Sequence, residues 1–168
     1  MNRLLRVLRH RLLDEGDARR ALDDAALARL QQRVEASERA HSGEIRICVE
    51  AGLPLSYLWR RASPRERAVA LFGKLRVWDT EHDNGVLIYL LLAERCIEIV
   101  ADRGIVRHVD ADAWRTLVDG MAHEFKSGRF EDGLARAVDA VDVLLRRHFA
   151  LVAGSTNPNE LPDAPLRL

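Results

Sequence analysis

Four acidic side chains stand where they could bind one hard cation. Glu44 opens a strand-like run, Asp79 and Asp83 lie in the acidic loop before a second run, and Asp102 follows a third. Clustered carboxylates repel one another unless they share a proton or a cation, and calcium and magnesium prefer oxygen ligands. We therefore predict a calcium or magnesium site at Asp83 and Asp102, with Asp79 or Glu44 as further ligands. Helix capping or a solvated loop is the alternative role for each acid alone.

Two arginines follow the last of these acids and predict a contact with phosphate. Guanidinium groups match phosphate oxygens in pairs, so Arg103 and Arg107 could hold a phosphate, although ordinary surface arginines give the same pattern. The sequence has no cysteine followed by arginine at phosphatase-loop spacing, no Gly-x-Ser-x-Gly elbow and no phosphate-cradling Gly-Lys-Ser/Thr loop. Covalent phosphoryl-enzyme chemistry therefore has no visible nucleophile.

Three strand-like runs must position these side chains. EIRICVEA alternates apolar and polar residues, GVLIYLLL is apolar on both faces over residues 86–92, and CIEIVADRGI follows after a short break. A run that is apolar on both faces suits a central strand covered by helices on both sides. A right-handed crossover would make the first two strands parallel, and a hairpin would return the third antiparallel. The acids would then gather at one edge of the sheet.

Amphipathic segments before and after these runs predict the helices. One helix should span residues 24–40. Another should begin with Ser63 as N-cap, Pro64 in the first turn and Glu66 three residues after the cap. Trp78 should lie in the buried stripe of this second helix. Two further helices should flank Gly128. We predict an α/β fold over residues 24–150, a three-layer α/β/α sandwich with a small mixed β-sheet, Rossmann-like. An all-helical bundle is the alternative, and it would require both hairpin runs to be helical.

The two ends of the chain differ from this pattern. Residues 1–23 predict a basic amphipathic helix followed by a polar connector. The helix has leucines along one face and arginines around that face, namely Leu4, Leu5, Leu8, Leu12, Arg3, Arg6, Arg9 and Arg11. Such a helix either docks on its own domain or lies on an anionic membrane surface. Residues 151–168 contain three of the five prolines and little apolar periodicity, so we predict a flexible tail there.

Composition excludes several classes of protein. The 26 basic and 26 acidic residues of this 168-residue chain cancel, which argues against a nucleic-acid binder held by phosphate neutralisation. Cys48 and Cys96 lack C-x-x-C spacing and sit in apolar runs, so both should be buried free thiols. Arginines interrupt the leucines at the start, where a signal peptide would have a continuous apolar core. We predict a cytoplasmic protein, either free or held at the inner face of the membrane.

The acidic-Asn-Gly step at residues 83–85 before a long apolar strand, together with its partner CIEIVADRGI, resembles the TPM domain. The segment FKSGRFEDGLARAVDAV is similar to the closing helix pair of that family. The resemblance runs from about Asp24 to Phe149, and it implies the mixed sheet between helices. The family includes a thylakoid-lumen protein reported as an acid phosphatase, and many members are exported and membrane-anchored. Many members also carry a glycine-aromatic-glycine step where this chain has residues 101–104.

Two functions follow as expectations. The first is a non-catalytic module whose acidic edge binds a divalent cation or a partner protein. The alternative is a metal-dependent phosphatase acting on phosphomonoesters, in which a cation polarises the ester and activates a water while Arg103 steadies the charge. The missing nucleophile signatures and the altered glycine step favour the module.

Overall fold

A computed structural model describes residues 3–168, which contain both helices and strands. The helices are α1 Arg3–Leu12, α2 Glu15–Ala21, α3 Asp24–Glu38, α4 Leu55–Trp59, α5 Pro64–Lys74, α6 Arg103–Val106, α7 Ala111–Lys126 and α8 Phe130–His148. The strands are β1 Glu44–Glu50, β2 Gly85–Leu91, β3 Cys96–Ala101 and β4 Leu166–Arg167. The predicted α/β class is confirmed.

The four strands form one mixed sheet in the order β3-β2-β1-β4. β1 runs parallel to β2 with Glu44 opposite Gly85, and β2 runs antiparallel to β3 with Val86 opposite Ala101. The hairpin turn contains a short 3-10 segment and Arg95, whose φ of 50° lies in the left-handed region. Every residue of β2 is buried, which is the pattern expected of a strand with neighbours on both sides and helices on both faces.

Two apolar clusters cover the two faces of the sheet and make the three layers. On one face α3, α7 and α8 pack over Ile47, Ile88 and Ile99. On the other face α4, α5 and part of α1 pack over Leu87 and Tyr89. Because successive residues of a strand point to opposite faces, the same three strands, β1, β2 and β3, supply both clusters. The three-layer sandwich predicted from the sequence is therefore confirmed.

The capping signals locate the start of α5 but not its end. The Ser63 side chain accepts a hydrogen bond from the Glu66 backbone, and the Glu66 carboxylate accepts one from Ser63 in return. The helix ends at Lys74, so Trp78 lies beyond it and is 47% exposed, contrary to the predicted buried stripe. The polar connector also contains a helix, α2, which begins with a capping box between Asp14 and Asp17.

The last residues of the chain pack against the sheet. β4 pairs in parallel with β1, with Leu166 opposite Cys48, and the Leu168 backbone N–H donates to the Val49 carbonyl at 2.8 Å. Leu161 is buried in the second apolar cluster. The prediction of a flexible tail over residues 151–168 did not anticipate this strand, because two residues are too few to show periodicity.

Candidate cation site

The loop before β2 is held by its own polar groups. Asp83 has a φ of 51°, in the left-handed region that aspartate tolerates. Asn84 is buried; its backbone N–H donates to the Thr80 hydroxyl at 3.0 Å, and its side-chain amide donates to the Ser42 hydroxyl at 3.1 Å. A Cβ on Gly85 would lie 1.9 Å from a backbone carbonyl, so only glycine fits there. Asn84 and Gly85 of this acidic-Asn-Gly step therefore fix the position of the Asp83 backbone just before the start of β2.

The start of α6 packs directly on that loop through a second glycine. The Gly104 backbone N–H donates to the Asp83 carbonyl at 2.9 Å. A Cβ on Gly104 would lie 2.5 Å from the carbonyl oxygen of Asp83 and 2.6 Å from that of His82. Because both close neighbours are backbone atoms, they cannot move aside as a flexible side chain would. Gly104 thus brings α6 and Asp102 against the loop.

Asp102 contributes a buried carboxylate with one unpartnered oxygen. Its Oδ1 accepts the Arg103 backbone N–H at 2.7 Å and so caps α6. Its Oδ2 is buried and has no hydrogen-bond partner among the described residues, while the residue is only 7% exposed. Burial raises the pKa of Asp102, and the negative charge of Asp83 raises it further, against the lowering effect of the Arg103 N–H. A bound proton or cation would therefore stabilise this carboxylate.

Arg103 forms an ion pair with Asp83. Its Nε lies 3.1 Å from the Asp83 Oδ2, and the arginine side chain is 72% exposed. Such an exposed pair is weak and easily exchanged. Arg107 closes α6 one turn later, and it is also exposed. The structure thus places Arg103 at the acidic pair and Arg107 beside it on the surface.

Glu44 lies on the other side of β2 from Asp102. β1 and β3 flank β2 on opposite edges, so two strand spacings, roughly 10 Å, separate the ends of these strands. The Glu44 side chain points toward the C-terminal segment, where its Oε2 accepts the Leu161 backbone N–H at 3.0 Å. Its Oε1 is buried and has no hydrogen-bond partner in the part of the chain that the structure describes, and burial raises the pKa of this carboxyl. Glu44 therefore belongs to a separate environment.

Asp79 is committed to a neighbour on the loop surface. Its Oδ2 lies 2.5 Å from Arg76 Nη2, and both side chains are largely exposed. Across the described residues, no group of three or more His, Cys, Asp or Glu side chains is arranged to hold a metal ion. Of the four predicted ligands, the structure brings together Asp83 and Asp102 and leaves Asp79 and Glu44 apart.

A buried group of Ser37, His41 and Asp142 has the residue types of a hydrolase triad but another arrangement. The Ser37 hydroxyl donates to the Asp142 Oδ1 at 2.6 Å and lies 2.8 Å from the His41 Nε2, while the His41 Nδ1 contacts the Gly43 carbonyl at 3.0 Å. In a triad the carboxylate holds the histidine Nδ1 and the serine proton goes to the histidine. Here the Asp142 carboxylate accepts the hydrogen bond of the Ser37 hydroxyl instead, so the group links α3 to α8.

Both cysteines are free thiols, as predicted, and Cys48 is buried as expected, whereas Cys96, which was also predicted to be buried, is only half-buried. Burial raises the pKa of both Cys48 and Cys96 to about 12, so neither is a thiolate at neutral pH. A nucleophilic cysteine needs the opposite shift. These side chains are packing residues of the sheet.

Sequence reasoning missed the residues that build the site without touching a ligand. Gly104 and Asn84 were visible as parts of motifs, yet their roles depend on which carbonyls and hydroxyls lie nearby. The signal that could have found Gly104 is a glycine directly after a strand and an N-capping aspartate, since a close backbone approach needs a residue without a Cβ.

Comparison with known proteins agrees with the fold. The BA42 protein of the psychrophilic bacterium Bizionia argentinensis has a similar structure, with a TM-score of 0.75, 26% sequence identity, and coverage of 88% of this chain and 95% of that one. The N-terminal domain of a P. gingivalis protein matches with a TM-score of 0.63 and 19% identity over 78% of this chain and 82% of that chain. At that identity the second likeness shows the fold alone.

A search of curated proteins finds no match for this chain. Residues 16–144 match the TPM domain, which is more than half of the sequence and includes α3 through most of α8. The match begins a little before the predicted start at residue 24. The chain belongs to the TPM domain family.

Proposed function

We propose that this TPM domain is a non-catalytic binding module that takes up a calcium or magnesium ion at Asp83 and Asp102. The observation that carries the proposal is the Asp102 Oδ2, a buried carboxylate oxygen that has no hydrogen-bond partner within residues 3–168 and is close enough to the Asp83 carboxylate to feel its charge. Unpaired buried charge is costly, and a divalent cation would satisfy both carboxylates at once.

The surrounding oxygens suit a hard cation. The Asp83 carboxylate is held by an exposed arginine that a cation can displace. Calcium takes carboxylate, carbonyl and water oxygens together, and magnesium keeps several waters when protein ligands are few. Two carboxylates with waters therefore fit a modest, exchangeable site better than a tightly closed one.

Several features support a module over a hydrolase. The raised pKa values of Cys48 and Cys96 keep both thiols protonated, so neither is a ready nucleophile. The Ser37 hydroxyl donates its hydrogen bond to Asp142, which is not the arrangement of a catalytic triad. One observation favours the phosphatase alternative: the exposed Arg103 guanidinium stands beside the acidic pair and would be released toward a phosphate if a cation took its place on Asp83. In that case the bound cation would polarise a phosphomonoester and activate a water.

Calorimetric titration of the protein with calcium and with magnesium tests the cation site. Saturable heat is expected with at least one ion, and the Asp83→Asn and Asp102→Asn variants should lose it, because each removes one of two charges. Asp79→Asn is the matched control, since that carboxylate belongs to the Arg76 pair and its loss should leave the affinity unchanged. No saturable heat with either ion, or equal loss in the control, would overturn the proposal.

Arg103 offers a second arm of the same test. Arg103→Gln removes the guanidinium group that competes with a metal ion for the Asp83 carboxylate. The divalent ion should therefore bind more tightly to this variant than to the native protein. Arg107→Gln, one helical turn away, should change the affinity little. Turnover of a phosphomonoester that requires the divalent ion and disappears in both Asp83→Asn and Arg103→Gln would establish the phosphatase alternative instead.

A further inference from the structure

Helix α1 is attached to the domain by its polar side. The Arg6 Nε lies 2.8 Å from the Glu94 Oε1, and its Nη2 donates to the Ala62 carbonyl at 2.7 Å. His10 is 3% exposed; its Nδ1 accepts the Leu53 backbone N–H at 2.9 Å, so its Nε2 carries the hydrogen and donates to Glu94 at 3.0 Å. These contacts fix which face of the helix meets the protein.

Close backbone packing reinforces that attachment. A Cβ on Gly52 would lie 2.6 Å from the His10 carbonyl oxygen, so the end of α1 sits directly on the chain that follows β1. The hydrogen bonds from His10 and then from Arg6 lower the pKa of Glu94 despite its partial burial. The carboxylate therefore stays charged at neutral pH and holds both basic side chains. α1 is thus docked in one orientation.

The leucine stripe of α1 consequently faces away from the domain. Leu5, Leu8 and Leu12 are 60%, 54% and 70% exposed. At about 100° per residue these three side chains fall within about 60° of one another, with Arg9 and Arg11 on either side of them. The helix therefore docks on its own domain, which is one of the two roles considered from the sequence, but it does so without burying its leucines. A docked helix that turns its apolar stripe outward is unusual, because that stripe normally provides the contact.

The charge around the stripe is of one sign. α1 contains four arginines and no acidic residue, and both Arg9 and Arg11 are exposed. Helix α4, which packs beside α1, adds Leu55 and Trp59, which are 48% and 71% exposed. Leucines at the centre, arginines at the sides and a tryptophan nearby make the pattern of a helix that lies in the interface of a bilayer.

We infer that the outward face of α1 binds the surface of an anionic phospholipid membrane. A second copy of the chain is a poorer occupant, because two-fold pairing of this face would bring the arginines of one copy against those of the other. Anionic headgroups instead neutralise the arginines while the leucines enter the acyl boundary. Within residues 3–168 no helix has the length and apolar character needed to cross a bilayer, so attachment through α1 is peripheral and reversible.

Co-sedimentation of the full-length protein with vesicles tests the inference. Vesicles of mixed phosphatidylserine and phosphatidylcholine should pellet the protein at low salt, while phosphatidylcholine vesicles should pellet much less. High salt should release it, because headgroup attraction is screened. Failure to pellet with the anionic vesicles at low salt would overturn the inference, and so would equal pelleting with both vesicle types.

Paired variants identify the face responsible. Leu5→Gln/Leu8→Gln should abolish pelleting, whereas Val143→Gln/Val152→Gln, which changes exposed apolar residues elsewhere, should not. Glutamine keeps helix propensity close to that of leucine, and circular dichroism checks that both variants fold. Equal binding by the two variants contradicts the assignment.

The arginines give a test that leaves the leucines in place. Arg9→Gln/Arg11→Gln should weaken binding to anionic vesicles by about fivefold for each arginine removed. Arg39→Gln/Arg147→Gln removes the same charge from other exposed positions and should weaken binding less. If analytical ultracentrifugation instead finds a dimer that Leu5→Gln/Leu8→Gln dissociates, and no vesicle binding occurs, the face is an interface between copies and the membrane inference fails.

Discussion

Removing Arg67 should destabilise the protein far more than removing an exposed arginine of the same kind. The Arg67 Nη2 lies 2.6 Å from the Glu50 Oε1, its Nε lies 3.0 Å from Oε2, and the Tyr89 hydroxyl donates to Oε2 at 2.6 Å. The side chains of Arg67 and Glu50 are only 14% and 5% exposed. Burial alone would lower the pKa of Arg67, but the hydrogen bonds and charge of Glu50 raise it, so Arg67 stays charged.

The magnitude follows from what Arg67→Met leaves behind. Glu50 would remain buried with only the Tyr89 hydroxyl as partner, and breaking a buried pair in this way costs about 3–5 kcal/mol. That cost is a large part of the free energy of unfolding of a typical domain, which is about 5–15 kcal/mol. The control Arg33→Met removes a pair whose side chains are 46% and 58% exposed, and it should cost about 1 kcal/mol or less.

Urea denaturation at neutral pH, followed by far-ultraviolet circular dichroism, measures both values. Glu50→Met/Arg67→Met/Tyr89→Phe replaces the whole buried group with apolar side chains and should be more stable than Arg67→Met alone, since no charge is left uncompensated. If Arg67→Met costs no more than Arg33→Met, or if the triple variant is less stable than the single one, the reasoning about the buried pair is refuted.

Three further predictions concern backbone packing, pH and thiol reactivity. Gly104→Ala should destabilise the protein by about 1–3 kcal/mol, because its Cβ would lie 2.5 and 2.6 Å from two backbone carbonyl oxygens. Gly73→Ala is the control: there is open space around Gly73 in α5, so this change should stabilise the protein by about 0.5–1 kcal/mol. Shifts in melting temperature of the same sign for the two variants would contradict this prediction. Burial raises the pKa of Glu38 to about 9, so its contribution to stability is full below pH 4.5 and is lost as the pH rises toward 9. Relative to the native protein, Glu38→Gln should therefore gain stability from pH 5 to pH 9, and a difference that does not vary with pH in denaturation curves would count against it. Cys48 and Cys96 should react slowly with a thiol reagent at pH 8 in the native protein and rapidly in urea, and fast labelling of both without urea would show that they are accessible thiolates.

The sheet and its main helices could be predicted because their signals are local. The apolar run of β2, the alternation in β1 and the cap at Ser63 each depend on residues close in sequence. Short elements such as α4, with five residues, and β4, with two, could not be predicted, because so few residues do not establish a period. Their formation depends on surfaces that exist only after the sheet has formed.

Only part of the candidate site could be predicted, for a related reason. Topology places Asp83 and Asp102 at neighbouring strand ends, and the hairpin makes that inference sound. Glu44 lies equally near the end of β2 in register, but its side chain meets the C-terminal segment, which sequence patterns did not connect to the sheet. The orientation of α1 escaped prediction as well, because amphipathicity identifies an apolar side without saying that His10 and Glu94 will meet on the other.

The pairing of β4 with β1 also bears on how the protein avoids aggregation. An open strand edge presents unpaired N–H and C=O groups that can recruit other chains. At one edge the Leu168 N–H and carbonyl pair with Val49 and Ala51, and at the other the Arg65 guanidinium donates to the Ile99 carbonyl. Removal of the last few residues would uncover the backbone of β1 at that edge. Such a shortened protein should be prone to edge-to-edge association.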